Sequence, residues 1–127
     1  MGKKKILIVD DSQTIRVKIS QALKLIGFDI IEAINGVDAL KKLDEMPKDS
    51  LVDLVVTDIN MPEMGGFQLI LRLKANPAFK KIPIIVLTSE TETERKQEGK
   101  AAGVNAWVVK PVETETMQAV VKKILNV

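Results

Sequence analysis

Short runs of aliphatic residues recur along the chain, and longer segments of mixed polarity separate them. The runs are Ile6–Val9, Ile30–Ile31 with Ala33, Leu54–Val56, Ile84–Leu87 and Trp107–Val109. Three of them are uninterrupted and β-branched, which is typical of strands that helices cover on both faces. We therefore predict that each run is a buried strand of one parallel sheet.

Most segments between these strands carry apolar residues with a period near 3.6 residues, which predicts amphipathic helices. Their apolar stripes run from Ile15 to Ile26, Val37 to Leu43, Phe67 to Leu73 and Met117 to Leu125. The segment Thr91–Ala102 differs, because no large apolar residue occurs between Thr91 and Lys100. We still predict a helix there, since the crossover between two parallel strands needs one.

Strands that alternate with helices indicate an α/β fold, here a doubly wound, five-stranded parallel sheet with five helices. The 127 residues suit a single domain covering 1–127. Hydrophobic residues make up 46% and charged residues 28%, as in folded globular proteins rather than disordered ones. The sequence contains no cysteine, which excludes disulfides and thiolate metal sites.

Charge and hydropathy narrow the class of protein further. The formal net charge of +2 is too small to predict nucleic-acid binding. The N-terminal segment reaches Asp10 after only four consecutive apolar residues, too few for a signal peptide or a membrane span. We therefore expect a cytoplasmic protein with no direct nucleic-acid partner and no membrane association.

Reactive side chains follow most of the predicted strands. In an open parallel sheet, ligands bind beyond the carboxyl ends of the strands, so residues at these positions are the first candidates. They are Asp10 and Asp11 after the first strand, Asp58 and Asn60 after the third, Thr88 and Ser89 after the fourth, and Lys110 after the fifth. Each has a structural explanation when taken alone, such as a helix cap, a turn or a solvent-exposed lysine. Their coincidence at one edge of the sheet predicts a joint site.

Charge limits what this site can be. Two carboxylates about 4 Å apart repel by roughly 4 kcal/mol at an effective dielectric constant near 20. Asp10, Asp11 and Asp58 therefore need cations, of which Lys110 supplies one and a divalent ion the remainder. Oxygen ligands favour Mg²⁺, and the lack of histidine and cysteine argues against zinc. The same groups suit phosphoryl transfer to a carboxylate nucleophile.

Specific sequence motifs carry a resemblance to a known family. They are Ile6–Arg16 (ILIVDDSQTIR), Asp58–Pro62 (DINMP), Pro83–Thr88 (PIIVLT) and Ala106–Pro111 (AWVVKP). Over essentially its whole length the chain resembles the receiver domains of two-component response regulators, and most of all the single-domain chemotaxis regulators. The resemblance implies a flavodoxin-like sheet with the strand order 2-1-3-4-5.

A magnesium-dependent phosphoacceptor site is part of what the resemblance implies. It makes Asp58 the residue that accepts a phosphoryl group from a sensor histidine kinase. The implied metal set is Asp10, Asp11, Asp58 and Asn60, with Asp11 as a direct ligand, Asp10 acting nearby or through water, and Asn60 offering its backbone carbonyl. We accordingly expect a switch that catalyses only its own phosphorylation and slow dephosphorylation, rather than an enzyme.

The resemblance also implies a phosphoryl-binding set and a switch residue. The phosphoryl-binding set is Asn60, Thr88, Ser89 and Lys110. The bond between Lys110 and Pro111 is expected to be cis. Trp107 occupies the position of the family's switch aromatic, and its large ring is not expected to bury fully. Phosphorylation would draw Thr88 toward the phosphoryl group, let this ring turn inward and change the binding of a protein target.

Two other interpretations stay open at this point. A phosphatase of the haloacid-dehalogenase type would also use an aspartyl phosphate and Mg²⁺. It would need an acidic residue two positions after Asp58, where this chain has Asn60. Alternatively, the chain is the receiver part of a longer regulator with a DNA-binding or enzymatic output domain.

Overall fold

The predicted aliphatic runs form one parallel sheet in the computed structural model, which describes residues 3–59, 61, 63–89 and 103–127. The strands are β1 (Lys5–Val9), β2 (Asp29–Ala33), β3 (Leu54–Asp58), β4 (Ile84–Thr88) and β5 (Ala106–Val109). Their order is β2-β1-β3-β4-β5, and every neighbouring pair is parallel. The strand order implied by the family resemblance is therefore confirmed.

Four helices lie in the described part of the chain, and each matches a predicted apolar stripe. They are α1 (Gln13–Lys24), α2 (Gly36–Glu45), α3 (Gly66–Ala75) and α4 (Thr114–Leu125). The helix predicted at Thr91–Ala102 lies outside the described residues, as does Asn60. None of the described helices has the length and apolar character needed to cross a bilayer.

Helices cover both faces of the sheet and create two apolar layers. Alternate residues of a strand point to opposite faces, so Leu7 and Val9 join the layer under α2 and α3, whereas Ile6 and Ile8 join the layer under α1 and α4. Since both faces are buried, β1, β3 and β4 carry aliphatic residues at three or four consecutive positions, which explains the uninterrupted runs in the sequence.

Local capping contacts set where the first two helices begin. The Ser12 hydroxyl accepts a hydrogen bond from the Ile15 amide and caps α1. The Asn35 side chain caps α2 in the same way by accepting from the Asp38 amide at 2.8 Å. Such caps satisfy amides that have no partner within the helix. With Ser12 as the cap, Asp11 is left available for another role.

Two of the candidate residues lie inside strands rather than after them. Asp58 is the last residue of β3 and pairs with Leu87, while Thr88 is the last residue of β4 and pairs with Val109. The prediction placed both just beyond their strands. They differ because ladder pairing with a neighbouring strand holds each of them in extended conformation despite its polar side chain. The candidate site therefore includes the last residues of β3 and β4 as well as the residues beyond the strands.

Candidate functional site

The register of the central strands brings Asp10 next to Asp58. Val9 of β1 pairs with Thr57 of β3, so the residues that follow each of them lie side by side at the carboxyl edge of the sheet. The backbone amide of Asp10 donates to the Ala33 carbonyl of β2 at 3.1 Å, which extends the ladder by one residue. Two residues that are 48 positions apart in the chain, Asp10 and Asp58, thus form one pair of carboxylates.

Three carboxylates cluster at this edge. Asp10, Asp11 and Asp58 each offer an oxygen atom, and these atoms all lie within 4.8 Å of one another. Asp10 is 0% exposed and Asp58 6% exposed, while Asp11 is open to solvent. The cluster therefore has a buried floor and an accessible rim.

Lys110 is the cation that balances the floor of this cluster. Its ammonium nitrogen lies 3.3 Å from Asp10 Oδ2 and 3.3 Å from Asp58 Oδ1. Its backbone amide donates to the Thr88 carbonyl at 2.7 Å, which holds the end of β5 against the end of β4. The bond to Pro111 is cis, as predicted. One ammonium group against three carboxylates leaves the described part of the site with an excess of negative charge.

The excess charge acts on Asp58. Burial raises the pKa of the Asp58 carboxyl above its ordinary value of 3.8, and repulsion from Asp10 raises it further. The Lys110 ammonium and the Ile59 amide, which donates to Asp58 Oδ1 at 2.8 Å, act in the opposite direction without cancelling the shift. The ionised form of Asp58 is therefore destabilised in this state of the protein.

Asp58→Asn is expected to stabilise the protein against unfolding in metal-free buffer at neutral pH. The raised pKa means that the folded state holds the Asp58 proton more tightly than the unfolded chain does. The ionised Asp58 carboxylate therefore lowers the free energy of unfolding at pH values above its raised pKa in the folded state. This loss of stability is absent once the pH falls below 3.8.

Thermal unfolding in EDTA at several pH values measures this difference. The advantage of the variant should shrink as the buffer is acidified. The exposed Asp44 of α2 provides the matched control, because Asp44→Asn should leave stability nearly unchanged. An Asp58→Asn variant less stable than the wild type at neutral pH would contradict the charge argument.

The Asp10 side chain is committed to contacts within the protein. Its Oδ1 accepts from the Ser12 amide at 2.8 Å and its Oδ2 faces Lys110. Asp11 is exposed beside it, so the two neighbouring aspartates differ in what they can offer a ligand. This difference agrees with the separate roles that the family resemblance implies for them.

The remaining candidates lie along β4 and β5. Thr88 is fully buried, whereas Ser89 is exposed. Trp107 pairs with Val86 and is partly buried, as expected for its size. Its ring centroid lies 6.4 Å from that of Phe67 in α3, with the ring planes at 34°. Among the described residues, the buried indole N–H of Trp107 has no hydrogen-bond partner.

Comparison with known proteins identifies the family. A model of the response regulator receiver domain matches residues 6–122. The chain belongs to the response regulator receiver family. It is 38% identical over 123 residues to chemotaxis protein CheY1 of Helicobacter pylori, which covers 96% of this chain and 97% of that protein.

Solved structures show the same relationship. Chemotaxis response regulator CheY4 of Vibrio cholerae matches with a TM-score of 0.88 and 36% identity over 97% of this chain and 99% of that one. The receiver domain of histidine kinase PA1611 from Pseudomonas aeruginosa, solved with a magnesium ion coordinated in its active-site cleft, shares the fold at a TM-score of 0.86, with 20% identity over 99% and 100% of the two chains. The protein is thus a CheY-like receiver domain of two-component signalling, which argues against the haloacid-dehalogenase alternative.

Two residues important for the geometry of the receiver site received no role from the sequence. Arg16 donates to the Asp10 carbonyl at 2.7 Å and Gly66 lies against the backbone of Asp58. Arg16 lies near the start of α1, six residues after Asp10. This short spacing was a sequence signal that its side chain could contact the end of β1. For Gly66 the signal was a glycine at the first position of a helix, where most residues would be more stable.

Proposed function

We propose that this receiver domain accepts a phosphoryl group on Asp58 from a sensor histidine kinase. The observation that carries the proposal is the convergence of Asp58, Asp10 and Lys110, in which one ammonium contacts both carboxylates at 3.3 Å. A nucleophilic carboxylate, a fixed cation beside it and an accessible acidic rim are the parts that phosphoryl transfer to an aspartate needs.

The transfer balances in a single exchange of bonds. An oxygen of ionised Asp58 forms a bond to phosphorus while the P–N bond of a phosphohistidine breaks, and the electron pair of that bond leaves with the donor imidazole. Lys110 neutralises part of the charge on the transferred oxygens. The other proposed contacts with the phosphoryl group come from Thr88, Ser89 and the backbone amide at Asn60. The backbone carbonyl of Asn60 is the remaining proposed ligand of the metal ion.

The acidic cluster fits Mg²⁺. Three carboxylates within 4.8 Å of one another form an all-oxygen set, and the exposure of Asp11 leaves room for the water ligands that this ion retains. Asp11 and Asp58 would hold the ion directly, with Asp10 behind them. The ion would place positive charge beside the buried Asp58 carboxylate and would neutralise phosphoryl oxygens.

Phosphorylation changes the charge at the site and thereby the surface that partners bind. The phosphoryl group adds about −1.5 to −2 units of charge at pH 7. Thr88 is proposed to move toward it, and the ring of Trp107, which is only partly buried against Phe67, to turn further inward. The buried indole N–H, which has no hydrogen-bond partner within the described part of the chain, supports an alternative position for this ring.

The single tryptophan is therefore expected to report the switch. Mg²⁺ with beryllofluoride, which mimics the phosphoryl group on Asp58, should shift the emission of Trp107 toward shorter wavelength because the ring becomes more buried. Thr88→Ala should abolish this shift. Any change of emission that Mg²⁺ causes in the absence of beryllofluoride should persist in this variant. Unchanged emission of the wild type with Mg²⁺ and beryllofluoride would refute the coupling of Thr88 to Trp107.

We also propose a phosphoryl donor, a target and a cellular location for this domain. The donor is a sensor histidine kinase, the output is a protein target that distinguishes the phosphorylated from the unmodified form, and the location is the cytoplasm. Apart from its own phosphorylation and slow dephosphorylation, the domain is proposed to catalyse no reaction. Membership of the CheY-like receivers and the 97% coverage of a chemotaxis relative support this setting.

A further inference from the structure

Arg16 connects the first helix to the ends of two strands. Its Nη1 donates to the Asp10 carbonyl at 2.7 Å, and its Nε lies 3.2 Å from Glu32 Oε1 on β2. The Arg16 side chain is 13% exposed, so this guanidinium is largely packed within the protein. A partly buried arginine that donates to both a backbone carbonyl and a carboxylate orders both groups.

The carbonyl that Arg16 holds belongs to the peptide group between Asp10 and Asp11. That peptide group determines the direction in which the chain leaves the strand and hence where the exposed Asp11 carboxylate lies. The Asp10 amide donates to Ala33, which holds Asp10 itself. Two contacts hold the peptide groups on either side of Asp11. The Ser12 amide, which donates to Asp10 Oδ1, restrains the peptide group that follows Asp11, and Arg16 restrains the peptide group that precedes it.

We propose that Arg16 is a positioning residue for the magnesium site, with Glu32 as its anchor. This inference rests on the proposed function. By holding the peptide group between Asp10 and Asp11, Arg16 keeps the Asp11 carboxylate near that of Asp58 before the ion binds. Arginine suits this task because its planar guanidinium donates in two directions at once, which the single ammonium of lysine reproduces poorly.

Charge and positioning predict opposite effects on metal affinity. Arg16 is a cation close to a proposed cation site, so electrostatics alone predicts that its removal strengthens Mg²⁺ binding. Positioning predicts that its removal weakens binding, because an unrestrained Asp11 must be ordered when the ion arrives. The sign of the change therefore separates the two explanations.

Isothermal titration of the protein with MgCl₂ tests the inference. Arg16→Ala is expected to weaken Mg²⁺ binding about tenfold, the lower range found when a residue that orients a metal ligand is lost. Arg16→Lys should restore only part of the affinity. Lys18→Ala removes an exposed cation of the same helix and should leave affinity unchanged or slightly improved. Affinity of Arg16→Ala equal to or above that of the wild type overturns the inference.

A second variant keeps the test valid if Arg16→Ala does not fold. Glu32→Asp preserves the negative charge but shortens the anchor, so positioning predicts a smaller loss of affinity and electrostatics predicts none. Wild-type affinity in Glu32→Asp would then count against the inference. A wild type that binds no Mg²⁺ refutes the proposed metal site itself, and is thereby distinguished from failure of the Arg16 role alone.

Discussion

Asp58→Asn is expected to gain no phosphoryl group from acetyl phosphate and Mg²⁺, whereas the wild type gains one group per chain. The amide of asparagine is not a nucleophile for this transfer, although it can still accept the hydrogen bond that the Ile59 amide donates to Asp58 Oδ1. The fold and the contact between Lys110 and Asp10 should therefore persist in the variant. Intact-mass spectrometry measures the loss directly.

Two controls test whether Asp58 itself accepts the phosphoryl group. Asp44→Asn changes an exposed carboxylate on α2 and should label like the wild type. Hydroxylamine should remove the label from the wild type, because it cleaves acyl phosphates but not the phosphate esters of serine or threonine. Full labelling of Asp58→Asn, or a label that resists hydroxylamine, would move the phosphoacceptor to another residue.

Gly66→Ala is expected to lower the free energy of unfolding by about 2–3 kcal/mol and Tm by roughly 10 °C. A Cβ atom on Gly66 would lie 2.3 Å from the carbonyl oxygen of Asp58 and 2.9 Å from the Cα atom of Ile59. Both are backbone atoms, so relief of the contact requires movement of the segment that carries Asp58. Helix propensity alone predicts the opposite sign, since alanine stabilises a helix by about 0.8–1 kcal/mol relative to glycine.

Gly36→Ala is the matched control for this variant. Gly36 is also the first residue of a helix, α2, but the three atoms nearest to its Cβ would all belong to the Met64 side chain, with Cγ at 2.7 Å, Sδ at 2.8 Å and Cβ at 2.9 Å. Rotation of the Met64 side chain moves its Cγ and Sδ away and leaves only its Cβ to shift by a small distance, so we expect a smaller loss of stability than for Gly66→Ala, about 1 kcal/mol. Thermal unfolding of the two variants compares them. A Gly66→Ala protein as stable as the wild type would show that the close approach to Asp58 is not a constraint.

Asp58→Asn and Gly66→Ala are expected to change stability in opposite directions, although both act at Asp58. Removing the charge of Asp58 is expected to stabilise the protein, whereas disturbing its backbone is expected to destabilise it. The site therefore combines a tightly held backbone with side chains that repel one another. A binding site for a cation benefits from both properties, because rigid geometry orients the ligands and the excess of negative charge favours binding of a cation.

Much of the fold could be predicted from the sequence because its determinants are local. The uninterrupted aliphatic runs identified the strands, and the 3.6-residue stripes identified α1, α2, α3 and α4. The carboxylates, hydroxyls and ammonium of the candidate site were identified because strand ends in a parallel sheet share one edge. The strand order followed from the family resemblance and not from residue patterns.

The site geometry could not be predicted in the same way. Whether Asp10 lies beside Asp58 depends on the register between β1 and β3, and no local pattern encodes a register between strands that are distant in the chain. The same holds for the contact of Arg16 with Asp10 and for the close approach of Gly66 to Asp58. Each is a contact between two elements whose separation is known only once both are packed.

The amino-acid sequence by itself determined the elements of this protein and the chemical groups at the ends of its strands, because periodicity, caps and residue type act over a few positions. The tertiary structure alone decided which oxygens lie within 4.8 Å of one another, that Asp58 is buried while Asp11 is exposed, and that Lys110 contacts two carboxylates. The physical reason is that charge and burial depend on distance in space, which strand pairing and helix packing set together.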